Sequence, residues 1–399
     1  MPLTPEDDRH LTRALELAHD AIGLASPNPT VGCVLTLGDT LLGEGAHLYD
    51  ARDHAEIAAL KKAAALGHNI RGATAYVTLE PCAHHGRTGP CADALIGAGI
   101  ARCVVATVDP NPLVSGAGLA KLRAANIEVS LADPQSALAQ QARRLNDAFA
   151  HFIQYRRPFI TLKAALSVDG KLAPPPSTRT TTAPHWVTGT AARADAQLLR
   201  HTSDAILTGI GTVLADNPSL TDRTNLPRRR PLLRIVLDTD LRTPLNSALV
   251  TTAASDLLLL CSTEALAHRE STLRTRGVEV LRIPADANGR LDLTAAVHIL
   301  AQRNLLSVLV EAGSAINASL LRANLVDHLV LYYAERELGL DALPFAANFD
   351  SPYALQQRLA QTTRTTFPSD ITPNAEDVRI TGYLHDPWSA IPAALNPVT

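Results

Sequence analysis

The chain is poor in aromatic residues and in cysteine, and it has no excess of positive charge. Aromatics make up 4% of its 399 residues, and 36 lysines and arginines stand against 39 aspartates and glutamates, for a formal charge of −3. A nucleic-acid-coating protein is normally basic and offers rings for bases to stack on, so that class is disfavoured. No apolar run approaches the roughly 18 residues of a membrane span. The opening MPLTPEDDRHLTRALELAHDA is acidic and amphipathic instead of continuously apolar, so neither export nor membrane insertion is expected. Five cysteines, an odd number without framework spacing, argue against a disulfide scaffold and for a reducing, cytoplasmic setting. Cys33, Cys103 and Cys261 lie inside apolar runs, where a buried, inert thiol is the ordinary state. Internal repeats and a G-x-G-x-x-G fingerprint are both absent.

What remains is a soluble globular composition, 46% hydrophobic and 19% charged, at a length that points to two domains. Helical spacing over 6–22 stops at ASPNP. Strands are expected at 31–37 and near 41–47, then a helix from His54 to Gly67 and a buried strand at 73–79. Helix 91–98, strand 102–108, helix 117–125, strand 127–131 and a helix at about 134–150 follow. Such alternation implies an α/β domain with a mostly parallel sheet covered on both faces. A second strand series begins after QYRRP, so the expected division is 1–150, 157–385 and a loosely held extension, 386–399. In the second half strands are expected at 159–165, 204–208, 233–237, 256–261, 279–283, 306–311 and 327–333, around helices such as 190–201, 292–303 and 314–323, again α/β. The triplet Arg228, Arg229 and Arg230 reads as decoration of a surface loop instead of a phosphate site.

Chemistry concentrates in DHAEIAAL (53–60) and EPCAHHGRTGPCADAL (80–95). His54 opens a helix, and Cys82 and Cys91 end the next strand and begin the next helix, positions that converge at one edge of an α/β sheet. One imidazole and two thiolates leave a fourth tetrahedral position open, the donor set of a catalytic Zn2+ site. Glu56, two residues beyond His54, is placed to shuttle protons without ligating the metal. H-x-E followed by P-C and a second cysteine is the pattern of zinc deaminases acting on nucleobases, although eight residues, not two, separate these cysteines. His84 and His85 read as substrate or surface groups, since the three ligands and water already complete four-coordination. Gly313, between a strand and a helix, is either a tight-turn residue or a point where free backbone N–H groups meet a pyrophosphate.

The loop CAHHGRTGPC, with PNPTVGCV (27–34) and DPNP (109–112), closely resembles the bifunctional riboflavin-biosynthesis deaminase–reductase family, and the resemblance extends over LKAALSVDGK (162–171), HWVTG (185–189), GIGTVLADNPSLTDR (209–223) and LVEAGSAINASLL (309–321). It implies a cytidine-deaminase-like N-terminal domain and a dihydrofolate-reductase-like C-terminal domain, which deaminate a phosphoribosylaminopyrimidine and then reduce its ribosyl group to ribityl with NADPH. On that resemblance His54, Cys82 and Cys91 hold one zinc, and Glu56 is the catalytic proton carrier. Trp186, Thr188, Thr212, Asp216, Gly313, Ser314 and Asn317 would line NADPH. Asn28, His185, Arg200, Leu220, Arg223 and Glu311 would contact substrate, with Arg87 near a phosphate. His185, Ala312 and Leu166 depart from the family's usual residues. An alternative therefore keeps the deaminase and gives the second domain a degenerate or related activity. An RNA-directed deaminase and a non-catalytic binding protein are the other classes, the first disfavoured by charge and aromatics, the second by the intact His–Glu–Cys–Cys set. The expected partner is a small-molecule substrate, with neither nucleic acid nor membrane; a homo-oligomer stays open.

Overall fold

Strands β1 (Gly32–Leu37) and β2 (Thr40–Ala46) are separated by only Gly38 and Asp39, too short a connection for a parallel crossover, and they pair antiparallel. β1 also runs antiparallel to β3 (Thr74–Val77); only β3, β4 (Arg102–Val105) and β5 (Glu128–Leu131) are parallel, in a five-stranded sheet of order β2-β1-β3-β4-β5. The first sheet is thus mixed, a correction to the mostly parallel sheet expected from the alternation of elements. The structure, a computed structural model, describes residues 3–84, 89–112, 114–178 and 186–389.

Period-two alternation along these strands sends side chains to two cores. Cys33, Leu35, Ala75, Val77, Cys103 and Val105 meet α2 (Ala55–Ala65), α3 (Cys91–Ala98) and α4 (Ala117–Ala124). Val34, Tyr76 and Val104 meet α1 (Pro5–Asp20) and α5 (Ala137–Arg144). A further helix, α6 (Asp147–Tyr155), follows. The alanine content of α2 has a packing reason: a Cβ at Gly43 or Gly45 would come within 2.5 Å of the Ala59 carbonyl oxygen or 2.7 Å of the Ala58 Cβ. Glycine on β2 and alanine on α2 together let helix and sheet approach closely, which fixes the height of His54 at the helix start.

Contacts divide the chain into two units, Met1–Arg156 with Pro227–Arg229 and the chain from Pro387, and Arg157–Leu226 with Arg230–Asp386. Two expectations are corrected here. The segment after 386 is not wholly loose: Trp388 is buried, donates its indole N–H to Asp147 Oδ1 at 2.8 Å and lies 5.6 Å beneath the Arg143 guanidinium. An indole has too much apolar surface to stay in water once its N–H finds an acceptor. Arg229, read as loop decoration, is folded into the first unit with its side chain 15% exposed.

The second unit is built on nine strands: β6 (Phe159–Ser167), β8 (Ala205–Gly209), β9 (Leu233–Leu237), β10 (Leu257–Ser262), β11 (Glu279–Ile283), β12 (Ser307–Val310), β13 (His328–Ala334), β15 (Ala360–Pro368) and β16 (Glu376–Tyr383), with β7 (Lys171–Ala173) and β14 (Leu343–Pro344) as a separate pair. Their order is β11-β10-β9-β8-β12-β6-β13-β16-β15, parallel up to β13 and antiparallel beyond it. Helices α7 (Thr190–His201), α8 (Ile210–Asp216), α9 (Ala248–Thr251), α10 (Ala267–Arg274), α11 (Leu293–Gln302), α12 (Ser314–Arg322) and α13 (Pro352–Gln356) complete it. Runs such as LLLLCS in β10 are buried throughout, as a strand covered on both faces must be. β8 and β12 are neighbours, and each feeds a helix at its carboxyl end, so the starts of α8 and α12 share one sheet edge. Among the described residues no helix is long and apolar enough to cross a membrane.

Candidate active sites

His54 caps α2 with extended backbone and Cys91 is the first residue of α3, so both side chains project from helix starts at the sheet edge. Their ligand atoms and Cys82 Sγ lie within 4.8 Å of one another; His54 Nδ1 is 3.2 Å from Cys91 Sγ and 3.6 Å from Cys82 Sγ. Tetrahedral Zn–N and Zn–S bonds place such ligands roughly 3.6 Å apart, so these three residues fit a zinc ion in spacing as well as in donor chemistry. The Cys91 backbone N–H donates to Cys82 Sγ at 3.2 Å, and hydrogen bonds from Cys91 pull the Cys82 thiol below its ordinary value. The same pairing pushes the Cys91 thiol upward. A helix-start amide aimed at sulfur favours a thiolate there.

Glu56, on the first turn of α2, is buried, and that burial, reinforced by the Cys82 charge, pushes its carboxyl up to about 7. Asn28 reaches the same region through a residue the sequence did not single out. Its amide is 3.0 Å from His47 Nε2, and His47 Nδ1 is 2.7 Å from the carbonyl of Asp53, next to His54. Glu80, quoted within EPC but given no role, is the anchor of the following loop: its carboxylate accepts N–H bonds from Asp109, Gly116, Gly118 and Leu119 at 2.8–3.3 Å. Burial pushes the Asp109 carboxyl up to about 6. His84 is exposed and outside the ligand cluster, while His85 and Arg87 lie outside the described residues.

In the second unit Arg200, on α7, makes a two-pronged ion pair with Glu311 at 2.9 and 3.0 Å and donates to the Thr221 carbonyl at 2.9 Å. Lys163 on β6, another residue not anticipated, stands 3.8 Å from Glu311. It was the lone cation inside a buried strand, which is the signal that a partner waits nearby. Burial alone would raise the Glu311 carboxyl, but Lys163, Arg200 and the charge of Arg223 hold it at about 2. Leu220 is buried with a left-handed φ of 53°, turning the chain between Asp216 and Arg223.

Gly313 caps α12, and Thr212 Oγ1 on α8 lies 3.9 Å from where a Gly313 Cβ would sit. Ser314 and Asn317, on the first turn of α12, are buried, with Ser314 Oγ and Asn317 Oδ1 lacking a hydrogen-bond partner among the described residues. The unpartnered Ser314 hydroxyl, which can donate, and the helix-start amides at the edge between two parallel strands fit a dinucleotide's phosphates, while Asn317 Oδ1 suits a hydroxyl or N–H donor. Trp186 and Thr188 are held by other contacts: Arg193 lies 4.8 Å over the Trp186 ring and donates to the Thr188 carbonyl. Asp216 is exposed at the end of α8. His185 lies outside the described residues.

A His–Cys–Cys zinc centre with a buried carboxylate, followed by an α/β unit with a nucleotide-type sheet edge, defines a zinc deaminase fused to a dinucleotide-dependent reductase. Comparison with known proteins agrees on both halves. The model for the cytidine and deoxycytidylate deaminase zinc-binding region matches residues 4–107, and that for the RibD C-terminal domain matches 158–368. The chain is 40% identical to the riboflavin biosynthesis protein RibD of Escherichia coli over 349 residues, 84% of this chain and 90% of that protein, and 39% identical to RibD of Actinobacillus pleuropneumoniae over 84% and 85%. Its fold is similar to that of Acinetobacter baumannii RibD (TM-score 0.75, 33% identity, 95% and 98% covered) and of a Thermotoga maritima diaminohydroxyphosphoribosylaminopyrimidine deaminase/5-amino-6-(5-phosphoribosylamino)uracil reductase (0.76, 30%, 94% and 98%). The chain belongs to the bifunctional RibD family, with a cytidine-deaminase-like first domain and a dihydrofolate-reductase-like second. Nothing in these matches favours a degenerate second domain.

Proposed function

We propose that the first unit hydrolyses the exocyclic amine of 2,5-diamino-6-(5-phosphoribosylamino)pyrimidin-4-one and that the second reduces the ribosyl group of the product to ribityl phosphate with NADPH, in riboflavin biosynthesis. The observation that carries this reading is the convergence of His54, Cys82 and Cys91 within 4.8 Å beside buried Glu56. Zinc, when bound, supplies a Lewis acid that lowers the pKa of water from about 15.7 to roughly 7. Glu56 takes the proton of the attacking water, delivers it to the ring nitrogen, and then carries a proton to the departing amine, so that water is consumed and ammonia released. The burial of Glu56, which raises the carboxyl above the ordinary carboxylate value, suits a group that must both take and return a proton. Asn28, oriented by His47, contacts the pyrimidine, and Arg87 meets the phosphate.

In the second unit NADPH, when bound, supplies a hydride. Thr212, Gly313 and Ser314 hold its phosphate end, with Asn317, Trp186, Thr188 and Asp216 along the rest. Glu311, kept ionised by Lys163 and Arg200, accepts substrate hydroxyls, while Arg223 serves the substrate phosphate, a role suited to a fixed cationic fork. Leu220 contacts the substrate on the same reading, as does His185 by the sequence resemblance alone. The slightly acidic charge balance supports a small molecule over nucleic acid as partner, and five free cysteines support a cytoplasmic setting. Arg223→Ala tests the assignment of surfaces: the KM for the pyrimidine should rise far more than that for NADPH, and the reverse would mean the two are exchanged.

A further inference from the structure

Arg229 falls within the span matched to the reductase family model, yet it folds with the first unit. Its backbone N–H donates to the Gly23 carbonyl at 2.9 Å and its Nε to the Ser26 carbonyl at 3.1 Å. Its guanidinium carbon lies 4.1 Å from the centre of the Tyr49 ring, and Tyr49 in turn donates its own N–H to the Leu24 carbonyl. Nη1 is 3.8 Å from Asp50, whose side chain is 74% exposed, so that pair adds little. The segment gripped in this way, residues 23–28, ends in Asn28, whose amide meets His47, which meets the Asp53 carbonyl beside the zinc ligand His54.

We propose that Arg229 is a positioning residue for deamination: it fixes the 23–28 segment, and through it the Asn28 amide, relative to the His47–His54 side of the metal centre. The proposal rests on the reading of Asn28 as a substrate contact. A planar fork is the group suited to this place, because it lies flat on the Tyr49 ring while its edge donates to a carbonyl. Removing the side chain leaves the Ser26 carbonyl without that donor but keeps the backbone bond to Gly23, so the segment stays in place with a looser Asn28.

The test uses the full zinc-loaded protein in four forms: wild type, Arg229→Ala, Asn28→Ala and the double variant. Arg229→Ala should raise the KM for deamination roughly tenfold, the combined scale of one hydrogen bond and one cation–π contact. The kcat should stay within about twofold, one zinc per chain should remain, and reduction of supplied deaminated substrate should be unchanged. Because Arg229 acts through Asn28, the double variant should be no worse than Asn28→Ala alone. Tyr49→Leu should move the KM in the same direction, which keeps the test open if Arg229→Ala folds poorly. A raised KM in Asn28→Ala with wild-type values in Arg229→Ala and Tyr49→Leu overturns the proposal, as do additive effects in the double variant or a parallel loss of zinc or of reduction. Wild-type KM in Asn28→Ala overturns the reading of Asn28 itself, and the proposal with it.

Discussion

Arg200 and Glu311, separated by 111 residues in sequence, meet through two hydrogen bonds of 2.9 and 3.0 Å, with Lys163 3.8 Å from the same carboxylate. The pair joins the end of α7 to the end of β12, so it ties together two elements of the second unit. Burial would raise the Glu311 carboxyl, and the surrounding cations instead hold it at about 2, below its ordinary 4.5. A group whose folded pKa is depressed adds stability above its unfolded pKa and loses it as pH falls toward the folded value. The urea midpoint of the second unit should therefore decline between about pH 4.5 and pH 2. Glu311→Gln should be less stable at neutral pH, because Arg200 keeps only part of its partnership, and should show a flatter acid decline; an unchanged slope would remove Glu311 from the acid response.

Cys91→Ala deletes one of three zinc ligands, so metal analysis should find its zinc content well below one per chain. Because ligation is linked to folding, the first unit should also melt at lower temperature. Full zinc occupancy in this variant would take Cys91 out of the site.

Chelation of the wild-type protein should abolish deamination while reduction of supplied deaminated substrate continues. Parallel loss of both activities, regained together with zinc, would make the metal a structural element of the whole chain.

Ser314→Ala removes a buried hydroxyl on the first turn of α12 that has no hydrogen-bond partner among the described residues. The KM for NADPH should rise roughly three- to tenfold, the range of one hydrogen bond, with that for the pyrimidine unchanged. The opposite split would move the phosphate end of the cofactor elsewhere.

The zinc residues were legible because metal ligation admits few residue types, and H-x-E with P-C is hard to produce by core packing. The buried parallel strands were legible for a similar reason, since runs such as LLLLCS have no polar face. Where the first sheet was misread, the local signal was there in Gly38 and Asp39, a connection too short for anything but a hairpin. β15 is different: AQTTRTTFP is mostly exposed, and it is a strand because β16 pairs with it, which no window of its own sequence contains. His47 and Arg229 were missed on the same ground, because each takes its meaning from carbonyls and rings brought to it by the fold. Trp388 could have been suspected from its size alone, as the one aromatic residue in the sequence after Tyr383.

The most direct test of the account is Glu56→Gln, assayed on one zinc-loaded preparation in two ways. Glutamine keeps the size of the side chain but cannot take the proton, so ammonia release from the diaminopyrimidine should fall on the order of 10²–10⁴. NADPH oxidation starting from that substrate should fall with it, while NADPH oxidation with supplied deaminated substrate stays near the wild-type rate. Wild-type ammonia release would displace Glu56 as the proton carrier, and loss of reduction from the deaminated substrate, with the fold and zinc intact, would contradict two sites acting in sequence.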